Sequence, residues 1–336
     1  MILPGDAPES IAAAARCIRS GGLLGLPTET VYGLAANADD DAAVAQIFRA
    51  KGRPADHPLI VHVADAGAVA HYASDVPAFA RQLMQAFWPG PLTLILPRRP
   101  DVAKATAGGN ATIGLRCPAH PVAQALLKAL MDCQTMPLCV WGLAAPSANQ
   151  FGRVSPTTAS HVQGEFGGDL LILDGGACHV GIESTIIDCS RGQPVLLRPG
   201  AITPEQVQAV CGLKVVSKDD VDTLAVPAPK ASGTLDSHYA PRARVRLMDA
   251  QQLQAALRDG VSGTRVAVWH RSLLQEPAAG VLSQRMPSDA AIAARQLFAV
   301  LRAFDLQGVA QIWVETPPDA SEWDGVRDRL QRAATI

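Results

Sequence analysis

An alternation constrains this chain most: short apolar runs trade places with stretches of helical period along its first two thirds. Leu23–Leu26, Leu59–Val63, Leu92–Leu96, Thr112–Arg116, Leu170–Leu173, Thr185–Asp188 and Val195–Arg198 read as strands. Val76–Phe87, Pro121–Met131, Pro156–Glu165 and Pro204–Cys211 read as helices, and Asp39 or Asp40 can cap another that carries Val44, Ile47 and Phe48. Thr203, Pro204 and Gln206 form a helix entry with a cap, a proline at the first position and a capping-box partner. Strands and helices mixed in this way imply an α/β fold built on an open sheet.

The pattern weakens between 215 and 243, where Lys218, Asp219 and Asp220 are followed by Pro227, Pro229, Gly233 and Pro241. Beyond it, strands are expected at Val245–Met248, Val266–Trp269 and Ile312–Val314, with helices at Ala250–Leu257, Ala290–Phe304 and Trp323–Ala333. A length of 336 residues also exceeds what one core usually supports. The organisation expected is therefore a domain over 1–214, a linker over 215–243 and a smaller α/β unit over 244–336.

Composition narrows the function classes. A net charge of −2 argues against nonspecific wrapping of nucleic acid, which takes a basic surface. The seven cysteines include no C-x-x-C pair and fit reduced thiols in a cytosolic protein. Met1–Ser10 lacks a secretory pattern, and no apolar run reaches the length of about 18 residues that a membrane span needs. The expectation is a soluble, cytoplasmic protein with no membrane partner.

The chemistry is one of anions. Thr28, Glu29 and Thr30 follow a strand end, where open α/β sheets bind ligands. Lys51 and Arg53 flank Gly52 at a helix end: they could complement the helix dipole or grip phosphate. Ser147 and Asn149, two apart, face one way if that segment is extended. Ser155 as cap and Pro156 as first helical residue would leave backbone N–H groups open to an anion. Arg116 and Arg198 end apolar strands and could clamp a carboxylate or phosphate, or form structural ion pairs. No P-loop, dinucleotide fingerprint or G-x-S-x-G elbow occurs. His57 and His62 have no third ligand nearby, so no protein metal site is assigned.

Together and in this order these segments resemble the YrdC/TsaC family of threonylcarbamoyl-AMP synthases. The matching stretches are Pro27–Leu34, Lys51–Pro54, Pro58–Val63, Trp88–Thr93, Gly114–His120, Ala145–Asn149, Ser155–Thr157, Asp174–Gly176, Gly181–Asp188 and Leu197–Gly200. His238–Pro241 and Arg327–Ala334 match the long form, in which a linker folds over the active-site cleft and a small Rossmann-like domain follows. The resemblance implies a YrdC-like twisted mixed sheet and synthesis of threonylcarbamoyl-AMP from ATP, with Mg²⁺, L-threonine and bicarbonate or CO2. The product would pass to tRNA threonylcarbamoyl-transfer proteins.

By matched position, the resemblance implies a catalytic polar core of Lys51, Arg53, Ser147 and Asn149. It places Thr30, His62, Arg116, Ala145 and Ser184 at threonine. It places Arg53, His57, Thr112, Ser147, Ser155, Arg198 and Tyr239 at ATP. This chain has His57 where the family usually has Asn, Ala35 in place of a usual Gly, and Ser232–Ser237 where many relatives carry Pro-Gly-Met and basic residues.

Overall fold

Alternation of side chains about one sheet explains how the first two thirds of the chain fold. In this computed structural model the described residues are 1–132, 139–217, 229, 239–260, 264–272 and 280–335. Most of the expected linker, with Ser232–Ser237 and His238, lies outside them. The first elements are β1 (Ile2–Pro4), α1 (Pro8–Arg19), β2 (Leu24–Leu26), β3 (Gly33–Asn37), α2 (Asp41–Lys51), β4 (Ile60–Val63), α3 (Val69–Tyr72), α4 (Ala78–Phe87) and β5 (Leu92–Pro97). They continue with β6 (Thr112–Arg116), α5 (Pro121–Met131), β7 (Gly142–Ala144), α6 (Ala159–Phe166), β8 (Leu171–Asp174), β9 (Thr185–Asp188), β10 (Val195–Arg198), α7 (Pro204–Cys211) and β11 (Val216–Ser217).

The strands form one mixed sheet in the order β1-β8-β2-β3-β7-β4-β6-β5-β9-β10-β11. Successive residues face opposite sides of it. Leu34 and Ala36 join one core with Val44, Ile47 and Phe48 of α2, while Ala35 between them joins the other, with Ile18 of α1 and Leu126 of α5. Both faces are thus covered. Small residues in β3 and β7 (Gly-Leu-Ala-Ala-Asn and Gly-Leu-Ala) explain why neither strand shows in the apolar pattern.

Three sequence expectations are corrected. The helix expected from Pro156 begins at Ala159 and is capped by Thr158, whose hydroxyl accepts from the His161 amide; Ser155 is not its cap. The preceding residues are held elsewhere: the Pro156 carbonyl accepts from the Tyr32 amide and the Thr157 carbonyl from the Cys178 amide. Cys17, Cys117, Cys178, Cys189 and Cys211 are free thiols, but Cys139 is disulfide-bonded, since residue counts do not tell which thiols fold side by side. Val216 and Ser217, expected at the head of the linker, extend the sheet beside β10.

The chain divides into two compact units, Met1–Phe151 with Pro156–Thr234, and Gly152–Ser155 with Leu235–Ile336. The second contains β12 (Arg244–Met248), α8 (Ala250–Asp259), β13 (Val266–His270), β14 (Leu282–Arg285), α9 (Ala290–Leu306), β15 (Gln311–Glu315) and α10 (Asp324–Ala334). Its strands are parallel, in the order β12-β15-β13-β14, around Leu253, Val266, Val268 and Trp313. Among the described residues no helix is long and apolar enough to cross a membrane.

Candidate active site

The site grows from strand ends. After β2, the chain turns through Thr28, Glu29 and Thr30, all buried. The Thr28 hydroxyl donates to the Val31 carbonyl at 2.6 Å and accepts from the Val31 amide at 3.2 Å, which closes the turn locally. Arg116, the last residue of β6, reaches this turn with both terminal nitrogens. Its Nη2 pairs with Glu29 Oε1 at 2.6 Å, Nη1 donates to Thr30 Oγ1 at 2.8 Å, and Nε donates to the Gly90 carbonyl at 3.3 Å. The other Glu29 oxygen accepts from the Ala119 amide at 3.0 Å. Removing one partner of such a buried pair leaves the other a costly lone charge.

His62 lies beside Arg116 in the register of β4 and β6. Burial, with the Arg116 charge as second cause, pushes its pKa down to about 3, so the imidazole is neutral at physiological pH. Ser184 precedes β9. Its hydroxyl lies 2.7 Å from Thr93 Oγ1 and accepts from Arg198 Nη2 at 3.1 Å, while its carbonyl accepts from the same guanidinium. Arg198 therefore sits against Ser184, which joins two residues expected at opposite substrates.

A second group forms where α2 ends. Gly52 adopts the left-handed conformation (φ 61°), and the Arg53 amide returns to the Phe48 carbonyl at 3.0 Å, a helix stop that favours glycine. Arg53 lies on the far side of that stop, its Nη2 donating to the Pro58 carbonyl at 3.0 Å and its guanidinium 6.0 Å from the Phe151 ring. His57 contacts the same ring at 5.7 Å. Lys51, the last helical residue, is 2 % exposed, and its ammonium points at the carbonyls of Ser147 (2.6 Å) and Asn149. Burial holds that ammonium well below the ordinary lysine range, with Arg53 adding to the shift and Glu165 opposing it.

The Ala145–Asn149 segment runs beside the β2–β3 turn. The Ala145 amide donates to the Ile60 carbonyl at 3.1 Å, Leu34 to Pro146 at 2.8 Å and Ala148 to Tyr32 at 2.8 Å. Gly33 permits the approach, because a Cβ there would lie 3.1 Å from Ala145 Cβ. The segment is not simply extended: the Asn149 amide bonds to the Ser147 carbonyl at 3.0 Å, closing a tight turn over Ala148.

Set beside known proteins, residues 16–200 match the family described as "Telomere recombination" (Sua5, YciO and YrdC proteins), and residues 202–335 match "Threonylcarbamoyl-AMP synthase, C-terminal domain". The chain is 39 % identical to the threonylcarbamoyl-AMP synthase of Bacillus subtilis over 96 % of its own length and 92 % of the relative's. It is 38 % identical to that of Pyrococcus abyssi, over 96 % and 94 %. The chain belongs to the threonylcarbamoyl-AMP synthase family. Its fold follows that of P. abyssi Sua5, solved in complex with L-threonine, with a TM-score of 0.87, 37 % identity and coverage of 99 % of this chain and 97 % of that one. The relatives' names are those of nucleotidyltransferase-type enzymes, and the chain has the family's long, two-domain form.

Within this family member, the first unit brings Thr30, His62, Arg116 and Ala145 around β4 and β6, Ser184 with Arg198, Lys51 with the Ser147–Asn149 turn, and Arg53 and His57 beside Phe151. Thr112 begins β6, about 13 Å along the strand from Arg116. Ser155 and Tyr239 belong to the second unit. There the Tyr239 ring is buried, 5.5 Å from Phe298 and 5.4 Å from the Arg329 guanidinium. Sequence reasoning saw Glu29 only as a polar residue at a strand end and passed over Phe151; an acidic residue beside candidate ligands and an aromatic just after Ser147–Asn149 were the available signals.

Proposed function

We propose that this chain is an L-threonylcarbamoyladenylate synthase: it joins ATP, L-threonine and bicarbonate or CO2 into threonylcarbamoyl-AMP and pyrophosphate. The observation that carries this is the buried Arg116 fork, fixed by Glu29, Thr30 and Gly90 beside neutral His62, in a fold shared with a threonine-bound relative. A guanidinium fixed on three sides is ready for the threonine carboxylate. His62 and Thr30 are neutral hydrogen-bonding partners for its amine or hydroxyl.

In the reaction, the threonine amine forms a C–N bond to CO2 and loses a proton, giving an N-carboxylate. One of its oxygens then attacks the α-phosphorus while the bond to pyrophosphate breaks. Two anions must meet in line, so alignment and a positive field matter more than a covalent nucleophile. Arg53 and Arg198 supply charge to that field, and the group of Lys51, Arg53, Ser147 and Asn149 forms the nucleotide end with His57 and Thr112. Ser155 and Tyr239 are assigned to ATP as well, by the family positions they match.

Among the described residues no three His, Cys, Asp or Glu side chains converge on a metal position. The side-chain oxygens of Ser147 and Asn149 would be the protein donors to a Mg²⁺ carried on the nucleotide, since their main-chain oxygens hold Lys51 and such an ion takes a few oxygen donors plus phosphates. Bound there, Mg²⁺ would neutralise charge on the pyrophosphate leaving group. The product is an activated carbamoyl donor for threonylcarbamoyladenosine next to the tRNA anticodon, handed to transfer proteins in the cytoplasm.

The test is to incubate the full chain with ATP, Mg²⁺, L-threonine and ¹³C-bicarbonate and analyse the products by mass spectrometry. The reading expects labelled threonylcarbamoyl-AMP and an equal amount of pyrophosphate. ATP hydrolysis without the labelled adduct would contradict it.

A further inference from the structure

Lys51 is the residue whose surroundings least match a phosphate ligand. A lysine that grips phosphate offers a mobile point charge to an open cleft. Here the ammonium is enclosed, and it spends donors on main-chain oxygens of Ser147 and Asn149, in sequence 96 and 98 residues away. The same residue is tied to that loop a second time: the Phe151 amide donates to the Lys51 carbonyl at 2.9 Å. Lys51 thus holds both ends of the turn through its side chain, and residue 151 just beyond it through its backbone.

The held atoms matter. Ser147 O receives both the Lys51 ammonium and the Asn149 amide, so the tight turn over Ala148 closes around an oxygen that the cation polarises. Hydrogen bonds from a charged donor are about twice as strong as neutral ones. Fixing the carbonyls of residues 147 and 149 fixes the direction of the two side chains assigned to the nucleotide end.

We propose that Lys51 is a positioning residue, which clamps the Ser147–Asn149 turn from beneath and serves the nucleotide through that turn without touching phosphate. The kinetic part of this inference rests on the synthase reading; the clamp itself does not.

The test compares the ligand-free full chain with Lys51→Met and Lys51→Arg by amide hydrogen exchange over residues 143–151, alongside ATP affinity. Both variants should exchange faster at Ala148, Asn149 and Phe151, by about tenfold to a hundredfold, the scale of losing a charge-assisted hydrogen bond. Exchange over β5 and β6 should stay as in the parent, and ATP affinity should fall in both. Unchanged exchange in Lys51→Met together with lost affinity, or affinity restored by Lys51→Arg, would overturn the clamp in favour of a phosphate contact. Should the variants not fold, ¹⁵N-lysine spectra of the parent chain decide: the Lys51 ammonium signal should hold its position as ATP is added, and displacement on saturation would overturn the proposal. A parent chain that makes no threonylcarbamoyl-AMP would sink the functional reading, while the exchange data would still decide the clamp.

Discussion

The two ends of the candidate site are held by different means. At the end proposed for threonine, side chain locks side chain: Arg116 meets Glu29 and Thr30, and Ser184 meets Thr93 and Arg198. At the end proposed for the nucleotide, side chains grip main chain: Lys51 and Arg53 bond to carbonyls, and a glycine stop sets their directions. The first design preorganises charge in a buried pair, where removing one partner strands the other. The second preorganises a loop, whose loss opens locally. Mutations at the two ends should therefore differ in stability as well as in kinetics.

The largest effect is expected at the threonine end. Arg116→Met leaves Glu29 buried without its cation and should cost about 3–5 kcal/mol, besides abolishing threonine-dependent turnover. Chemical denaturation should show this loss. Adding Glu29→Gln should recover part of the stability and none of the activity; a double variant no more stable than the single one would mean that packing, not charge, binds these residues.

Arg53→Ala comes next. It should lower turnover by about a hundredfold or more through lost charge stabilisation, with a smaller stability change than Arg116→Met. Steady-state kinetics with a melting curve checks both halves, and equal destabilisation at the two ends would erase the contrast drawn here.

The elements were more legible in the sequence than their partners. Pro121–Met131, Thr185–Asp188, Val195–Arg198 and the Thr203–Gln206 capping box are found at the bounds that apolar period and cap chemistry indicate. The α1 helix, with its run of alanines, and the small-residue strands β3 and β7 were silent because their side chains carry little contrast. Candidate site residues could be picked out as polar groups at strand and helix ends. What each one touches could not, since Arg116 and Thr30 stand 86 apart in sequence and Lys51 and Ser147 96 apart. A lysine at a helix end has one appearance whether it faces phosphate or two carbonyls.

A third expectation concerns pH. The folded His62 pKa of about 3 lies below the unfolded value of about 6.5, so between these the unfolded chain binds more protons. Its contribution to stability is complete above pH 6.5 and falls as pH drops through that window, by up to about 1.4 kcal/mol per pH unit. His62→Gln should flatten this dependence in denaturation curves taken from pH 7 to pH 4. An unchanged slope would mean that His62 does not stay neutral in the fold.

The smallest effect belongs to the helix stop. Gly52→Ala meets no atom within 4 Å of its new Cβ, so the cost is backbone strain alone, about 1 kcal/mol. Melting should shift by a few degrees, and ATP KM should rise while threonine KM holds. A change in threonine KM instead would show that the two ends are not separately held.

The most direct test of the central claim, that threonine is held at its carboxylate while its carboxylated amine attacks ATP, is exchange of labelled pyrophosphate into ATP. With Mg²⁺ and L-threonine, exchange should appear only when bicarbonate or CO2 is also present, and Arg116→Met should remove it. Exchange at full rate with threonine alone in CO2-free buffer would show the amino acid's own carboxylate to be the nucleophile and would contradict the account.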